Sequence, residues 1–100
     1  MALRTWNGGG GDDNWSTAAN WGGTAPVAGD DLAFGGTIRL TPNNDIAADT
    51  SFNSITFNSG AGAFVIGGNR ITLGSATGII NNDGDLQTIN LNIIINTADT

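Results

Sequence analysis

Apolar and polar residues alternate in short bursts along this chain, and four of the bursts share one form. Ile38-Arg39-Leu40, Ile55-Thr56-Phe57, Ile71-Thr72-Leu73 and Ile89-Asn90-Leu91 each set an isoleucine two positions before a large apolar residue. That separation puts both side chains on one face of a strand. The isoleucines lie 17, 16 and 18 positions apart. A second apolar spot follows each of the first three bursts, at Ile46, Phe64–Ile66 and Ile79–Ile80. Strands recurring at a nearly fixed period predict a stacked β architecture, each unit burying its apolar face on the next.

Between the bursts lie Asn58-Ser59-Gly60, Gly67-Gly68-Asn69 and Asn81-Asn82-Asp83-Gly84-Asp85, which suit tight turns because Gly and Asn tolerate positive φ. Residues 55–68 match 71–84 at Ile55/Ile71, Thr56/Thr72, Ser59/Ser75, Gly62/Gly78 and Gly68/Gly84. Two strands per period admit two all-β architectures. Antiparallel succession gives a meander or β-sandwich; winding once per period gives a parallel β-solenoid (β-helix). Like residues at equivalent positions, with Asn-rich turns able to stack as amide ladders, favour the solenoid. Its last strand carries Ile89, Leu91, Ile93 and Ile95 on one face, and no distinct cap follows in Asn96–Thr100. An uncapped apolar strand is adhesive. These four residues are therefore expected at a contact, with a partner subunit or with coils continuing beyond residue 100.

Residues 1–36 read differently. They hold Trp6, Trp15 and Trp21, the loop-forming run Gly8–Gly11 with Asp12-Asp13-Asn14, and turn signals at Pro26 and Gly29-Asp30. Ser16–Asn20 can form one helical turn with Ser16 as its cap, and Leu32-Ala33-Phe34 is a short strand. The expected organisation is a Trp-rich N-terminal cap or anchor, 1–36, followed by solenoid repeats, 37–100, of period about 16–18. Trp15, Trp21 and Phe34 form the cap core. Trp6 lies in a stretch that can reach another subunit as an arm.

Charge narrows the function. The chain has nine Asp and no Glu, three Arg and no Lys or His, for a net charge of −6. Phosphate binding needs clustered cations, so no nucleic-acid partner is expected, and no anionic membrane surface. The residue types common here (Gly, Asn, Thr) disfavour helix. Without cysteine there is neither a disulfide framework nor a thiolate metal site. Met1–Trp6 contains no apolar run like that of a signal peptide, which suits a virion protein released by lysis, unless a signal has been removed.

Lacking His, Cys, Lys, Tyr and Glu, the chain lacks the usual general bases and activated nucleophiles, so no enzyme is expected. Asp12-Asp13 and Asp30-Asp31 are sequence neighbours and read first as turn residues bonding their own backbone. The same reading applies to Asp83 and Asp85, although Asp12, Asp13, Asp83 and Asp85 are the weak candidates for oxygen ligands to calcium, the one cofactor considered. The tryptophans can stack on sugar rings, which keeps carbohydrate as a candidate partner beside the cap role. Arg39 and Arg70 flank strand positions and are expected to face solvent or pair with nearby Asp.

The stretch Ser54–Phe64 with Gly68-Asn69-Arg70-Ile71-Thr72-Leu73, continued by Gly78–Asn82 and Gln87-Thr88-Ile89, resembles the autotransporter-associated β-strand repeat. Thr5-Trp6, Asn14-Trp15, Asn20-Trp21, Pro26, Gly29-Asp30-Asp31 and Phe34 resemble the Trp-rich start that often precedes such repeats, both in large secreted bacterial proteins and in tailed-phage structural proteins. The resemblance implies a β-helical module for adhesion, decoration or scaffolding, with no shared catalytic residues. The start at Met without a secretion signal, and a length well below that of secreted passengers, shift the expectation to a phage particle. The expected role is head decoration or the base of a fibre, with homo-oligomerisation and other virion proteins as partners. A secreted adhesin or carbohydrate-binding module at the cell surface is the alternative.

Overall fold

The computed structural model describes residues 2–74 and 78–95; Ser75 of the internal match and the tail 96–100 lie outside them. The described chain is almost entirely β. Its strands are β1 (Leu3–Trp6), β2 (Asp31–Phe34), β3 (Asn43–Asn44), β4 (Thr50–Phe52), β5 (Ser54–Phe57), β6 (Val65–Gly68), β7 (Ile71–Leu73), β8 (Ile79–Asn81), β9 (Thr88–Ile89) and β10 (Ile93–Ile95). One 3-10 turn, Ala18–Trp21, interrupts them.

The strands form three sheets, ordered β1-β2-β5-β8, β3-β6-β9 and β4-β7-β10. From β2 onward the chain visits the three sheets in constant rotation. Every ladder among the described residues is parallel, so the antiparallel meander or sandwich is not what the chain adopts. The N-terminal block touches all three sheets as well. β1 pairs with β2, Asn14 bridges to Asn43 of β3, and the Gly29 N–H donates to the Ser51 carbonyl of β4 at 2.8 Å. β2 of this block pairs with both β1 and β5, so the block's sheet continues into the rest of the chain.

Register partners from β2 onward lie 21 to 24 residues apart, as with Thr50 and Ile71 or Asn43 and Gly67. The period of 16–18 therefore does not connect paired strands. Ile55 sits in β5, Ile71 in β7 and Ile89 in β9, one in each sheet. Each step of the motif advances two strands, about two-thirds of a three-strand circuit. An apolar pair at i and i+2 meets the needs of every strand, so the pattern marks strands without saying which sheet each one joins. The first copy is not a strand at all: Ile38 is 59% exposed and Arg39 has φ 53°.

Inward positions line up in columns. Trp6, Phe34 and Phe57 are register partners, as are Leu32 and Ile55, and Phe52 and Leu73; all are buried. Parallel stacking places like on like, so aromatic rings meet: Phe34 lies 5.7 Å from Phe57 in a stacked arrangement and 5.6 Å from Phe64. Trp6, Trp15 and Trp21 surround the same ring at centroid distances of 6.2, 5.9 and 5.6 Å. Such pairs contribute about 0.5–1.5 kcal/mol each beyond the area they bury.

Close stacking also dictates glycine. A Cβ on Gly68 (φ 108°) would run into the Asn44 backbone of the neighbouring strand, and one on Gly8 (φ 67°) would lie 2.6 Å from the Ile38 carbonyl oxygen.

Candidate functional site

The N-terminal block is built around Asn20, which is fully buried. Its amide donates to the carbonyls of Asp12 and Asn14 at 3.0 Å each, and its Oδ1 accepts from the Gly10 N–H at 2.8 Å. Its backbone carbonyl accepts from the N–H groups of Asn7 and Gly8. One side chain thus satisfies a glycine-rich loop that has few hydrogen bonds of its own. The adjoining 3-10 turn has Thr17, not Ser16, at its N-cap, without a side-chain cap bond. Ser16 bonds instead to Asp45, through both its N–H and its hydroxyl. That pairing crosses between circuits and was not visible in local spacing.

All three tryptophans pack against one another and Phe34 in the core. Trp6 and Trp15 are fully buried and Trp21 nearly so. Trp6 is therefore not an outward arm: its ring is a core partner of Phe34, and its Nε1 donates to the Arg39 carbonyl at 3.2 Å. Trp21 Nε1 donates to the Trp15 carbonyl at 2.8 Å, whereas Trp15 Nε1 is buried with no partner. Phe34 sits at the centre of the group. None of the indole faces is open to a sugar ring.

The acidic residues act within turns and between circuits. Asp12 accepts from the Asn14 N–H, and its carboxyl is held below the usual range by hydrogen bonding, Thr17 first and then Asn14. Asp13 turns elsewhere, to Arg39 at 3.4 Å and Thr41 at 2.9 Å. Asp83 accepts from the Asp85 and Gly60 N–H groups, and these bonds, Asp85 first, lower its pKa. The backbone carbonyl of Asp85 accepts from Asn81. Asp12 and Asp13 thus diverge, and among the described residues no three acidic side chains converge on one point. Arg70 makes a two-point pair with Asp49 at 2.5 and 2.9 Å, which lowers the Asp49 pKa.

Asp30 is the buried member of the set. It accepts from the N–H groups of Ala2 and Val27 at 2.9 Å each, and Arg4 Nε lies 3.5 Å away as an ion pair. Burial works to raise its pKa, but these two N–H groups and the Arg4 charge outweigh it, and the carboxyl titrates below its usual value. Its neighbour Asp31 is lowered by hydrogen bonds from Asn53 and Ser54. Together the two aspartates tie the N-terminal strand and the β4–β5 corner to β2.

Large apolar residues are exposed at Leu3, Val27, Ile38 and Val65 and, more densely, in the last circuit, β8 to β10. Of the four expected contact residues, Leu91 is buried, Ile89 and Ile93 are half-buried against the core, and Ile95 is exposed. Their alternation does not put them on one strand, because the chain bends at Leu91 between β9 and β10. Ile79, Ile80, Leu86 and Ile94 join Ile95 as large exposed apolar residues of this circuit. Ile79 and Ile80 form the apolar spot expected from the sequence; Ile79 is the register partner of buried Ile55 on β8, a terminal strand of its sheet, and Ile80 takes the outward position of Thr56.

Comparison with known proteins found no matching family model, no similar curated protein and no similar solved structure.

Proposed function

We propose that the chain is a parallel β-solenoid with three strands per coil and a Trp-rich N-terminal cap, acting as a non-enzymatic structural protein of a bacteriophage particle, as head decoration or at the base of a fibre. The observation that carries the reading is the rotation of the chain through three parallel, in-register sheets around one aromatic column. A framework of this kind supplies stiffness and a repeating surface. The acidic side chains support the non-enzymatic part, because the Asp12, Asp13, Asp30, Asp31 and Asp83 carboxylates accept from backbone N–H groups, an arginine or neighbouring polar side chains. Resemblance of the Trp-rich start to tailed-phage structural proteins supports the location. The partners proposed are further copies of this chain and other virion proteins.

The test is composition of the particle. Mass spectrometry of purified phage from a lysate of the host that carries the gene is expected to find the chain in fixed ratio to the major coat protein. Its recovery only in the particle-free fraction, or in the outer-membrane fraction, would contradict the proposal and favour the adhesin.

A further inference from the structure

We propose that Asp30 is the clasp of an acid-released strand: its charged carboxylate holds residues 2–5 against β2, and its protonation lets that segment swing away on Trp6 while the core stays folded.

The segment is anchored at its two ends by unlike means. At one end Trp6 is fully buried, its ring 5.3 Å from Trp21 and 6.2 Å from Phe34, and the Asn7 N–H donates to the Asn20 carbonyl at 2.8 Å. Between the ends Leu3 is 66% exposed and Thr5 is exposed, so these side chains add no apolar burial to hold the middle. Among the described residues β1 pairs with β2 alone. The other end rests on one carboxyl. Asp30 is buried; its Oδ1 accepts from the Ala2 N–H and its Oδ2 from the Val27 N–H, at 2.9 Å each. Beside it the Asp31 N–H donates to the Ala2 carbonyl at 2.8 Å.

Arg4 makes the clasp depend on charge. It is the register partner of buried Leu32, an inward position of β1. Its Nε is buried without a hydrogen bond and lies 3.5 Å from Asp30 Oδ2. A buried cation is costly unless an opposite charge answers it. Neutral Asp30 leaves that Nε unanswered. It also weakens the Ala2 bond, because a bond to an ionised acceptor is about twice as strong as a neutral one. Both losses fall on β1.

No other group nearby takes over the role. The Asp31 carboxylate is turned to Asn53 and Ser54, while residues 22–29 and 50–57, which flank Asp30, hold no titratable side chain. Burial favours the protonated acid, but the Val27 and Ala2 N–H groups and the Arg4 charge outweigh it, so Asp30 titrates below the ordinary aspartate value. The clasp is therefore closed at neutral pH and opens as pH falls through that lowered value. Opening frees the Asp31 N–H and uncovers an edge of β2, which another strand can then pair with.

Amide hydrogen exchange of the full chain, read by NMR from neutral pH to about pH 3 and corrected for intrinsic rates, tests this. The Asp31 amide reports the segment, because its acceptor is the Ala2 carbonyl; the Asn58 and Gly74 amides, bonded to Phe34 and Phe52, report the core. Asp31 is expected to lose protection at a higher pH than Asn58 and Gly74. Asp30→Asn at neutral pH is expected to speed exchange at Asp31 roughly tenfold or more with the core amides unchanged. Arg4→Gln is expected to move the Asp31 step to higher pH. Loss of protection at all three amides together in the wild-type chain overturns the proposal, as does an Asp31 amide that stays protected for as long as the core does. A folded Asp30→Asn chain with wild-type exchange at Asp31, or an unmoved step in Arg4→Gln, overturns it too. Should Asp30→Asn fail to fold, the wild-type titration decides alone.

Discussion

Phe34 touches Trp6, Trp15, Trp21, Phe57 and Phe64, so it joins the N-terminal block to the circuit of β5 to β7. Phe34→Ala removes a fully buried ring where rigid aromatic neighbours cannot collapse inward. The expected loss is about 3–5 kcal/mol in urea unfolding, with tryptophan emission shifted to the red in the folded state. Asn20 is the polar counterpart. Asn20→Ala leaves the Asp12 and Asn14 carbonyls and the Gly10 N–H without their partner and is expected to cost about 2–3 kcal/mol by the same measurement. Asp30 and Asp31 set the acid limit. Their folded pKa values lie below the ordinary aspartate value, so the stability they contribute is complete above about pH 4 and is lost as pH falls through the lowered values. Thermal melts are expected to be flat on this account from neutral pH down to about 4 and to fall below it. Asp30→Asn is expected to lower the plateau and flatten the acid slope; an unchanged slope would exclude Asp30 from the acid transition.

At the scale of strands and turns, glycine at 68 is expected to be required by close approach. Gly68→Ala combines positive φ with a collision against the Asn44 backbone and is expected to destabilise by more than about 1 kcal/mol. Gly60→Ala, at φ 87° but with open space around its Cβ, suffers the conformational part alone and is expected to cost less. The strands themselves were legible in the sequence. Ile55-Thr56-Phe57 and Ile71-Thr72-Leu73 show the period of two that a half-buried strand needs, and both are strands. Their partners were not legible, because identical apolar pairs serve all three sheets and the pattern does not say how many strands complete a circuit. Ile38 misled for the opposite reason: it has the motif but lies in an exposed corner held by Arg39 at positive φ. The tryptophans advertised burial by size. The Asn20 hub and the Ser16–Asp45 pairing did not, since both depend on contacts that only the folded loop brings together.

For the whole molecule, the consequence of parallel in-register stacking is a row of inward side chains that runs from β1 through β2 and β5. The three tryptophans and Phe34 pack together in the N-terminal block, whereas Ile79, Ile80, Leu86, Ile94 and Ile95 of β8 to β10 are exposed among the described residues. Of the contact residues expected from the sequence, Trp6 and Leu91 are buried and Ile95 is exposed. The placement of side chains also bears on calcium. With Asp12 and Asp13 directed to different partners, removing divalent cations with a chelator is expected to leave the melting temperature unchanged; a drop of several degrees would mean that the acidic turns hold an ion after all.

The number of strands per circuit is the claim from which the rest follows, and electron paramagnetic resonance measures it directly because the chain has no cysteine of its own. Ser51 and Thr72 are register partners on adjacent strands β4 and β7, 21 residues apart, and backbones so paired lie about 4.8 Å from one another. Thr56 and Thr72 stand 16 apart, as the sequence motif does, but belong to different sheets. Spin labels at Ser51→Cys/Thr72→Cys are expected to show strong dipolar broadening, and labels at Thr56→Cys/Thr72→Cys none. The reverse pattern would mean that a circuit closes every 16 residues with two strands, contradicting the three-sheet account.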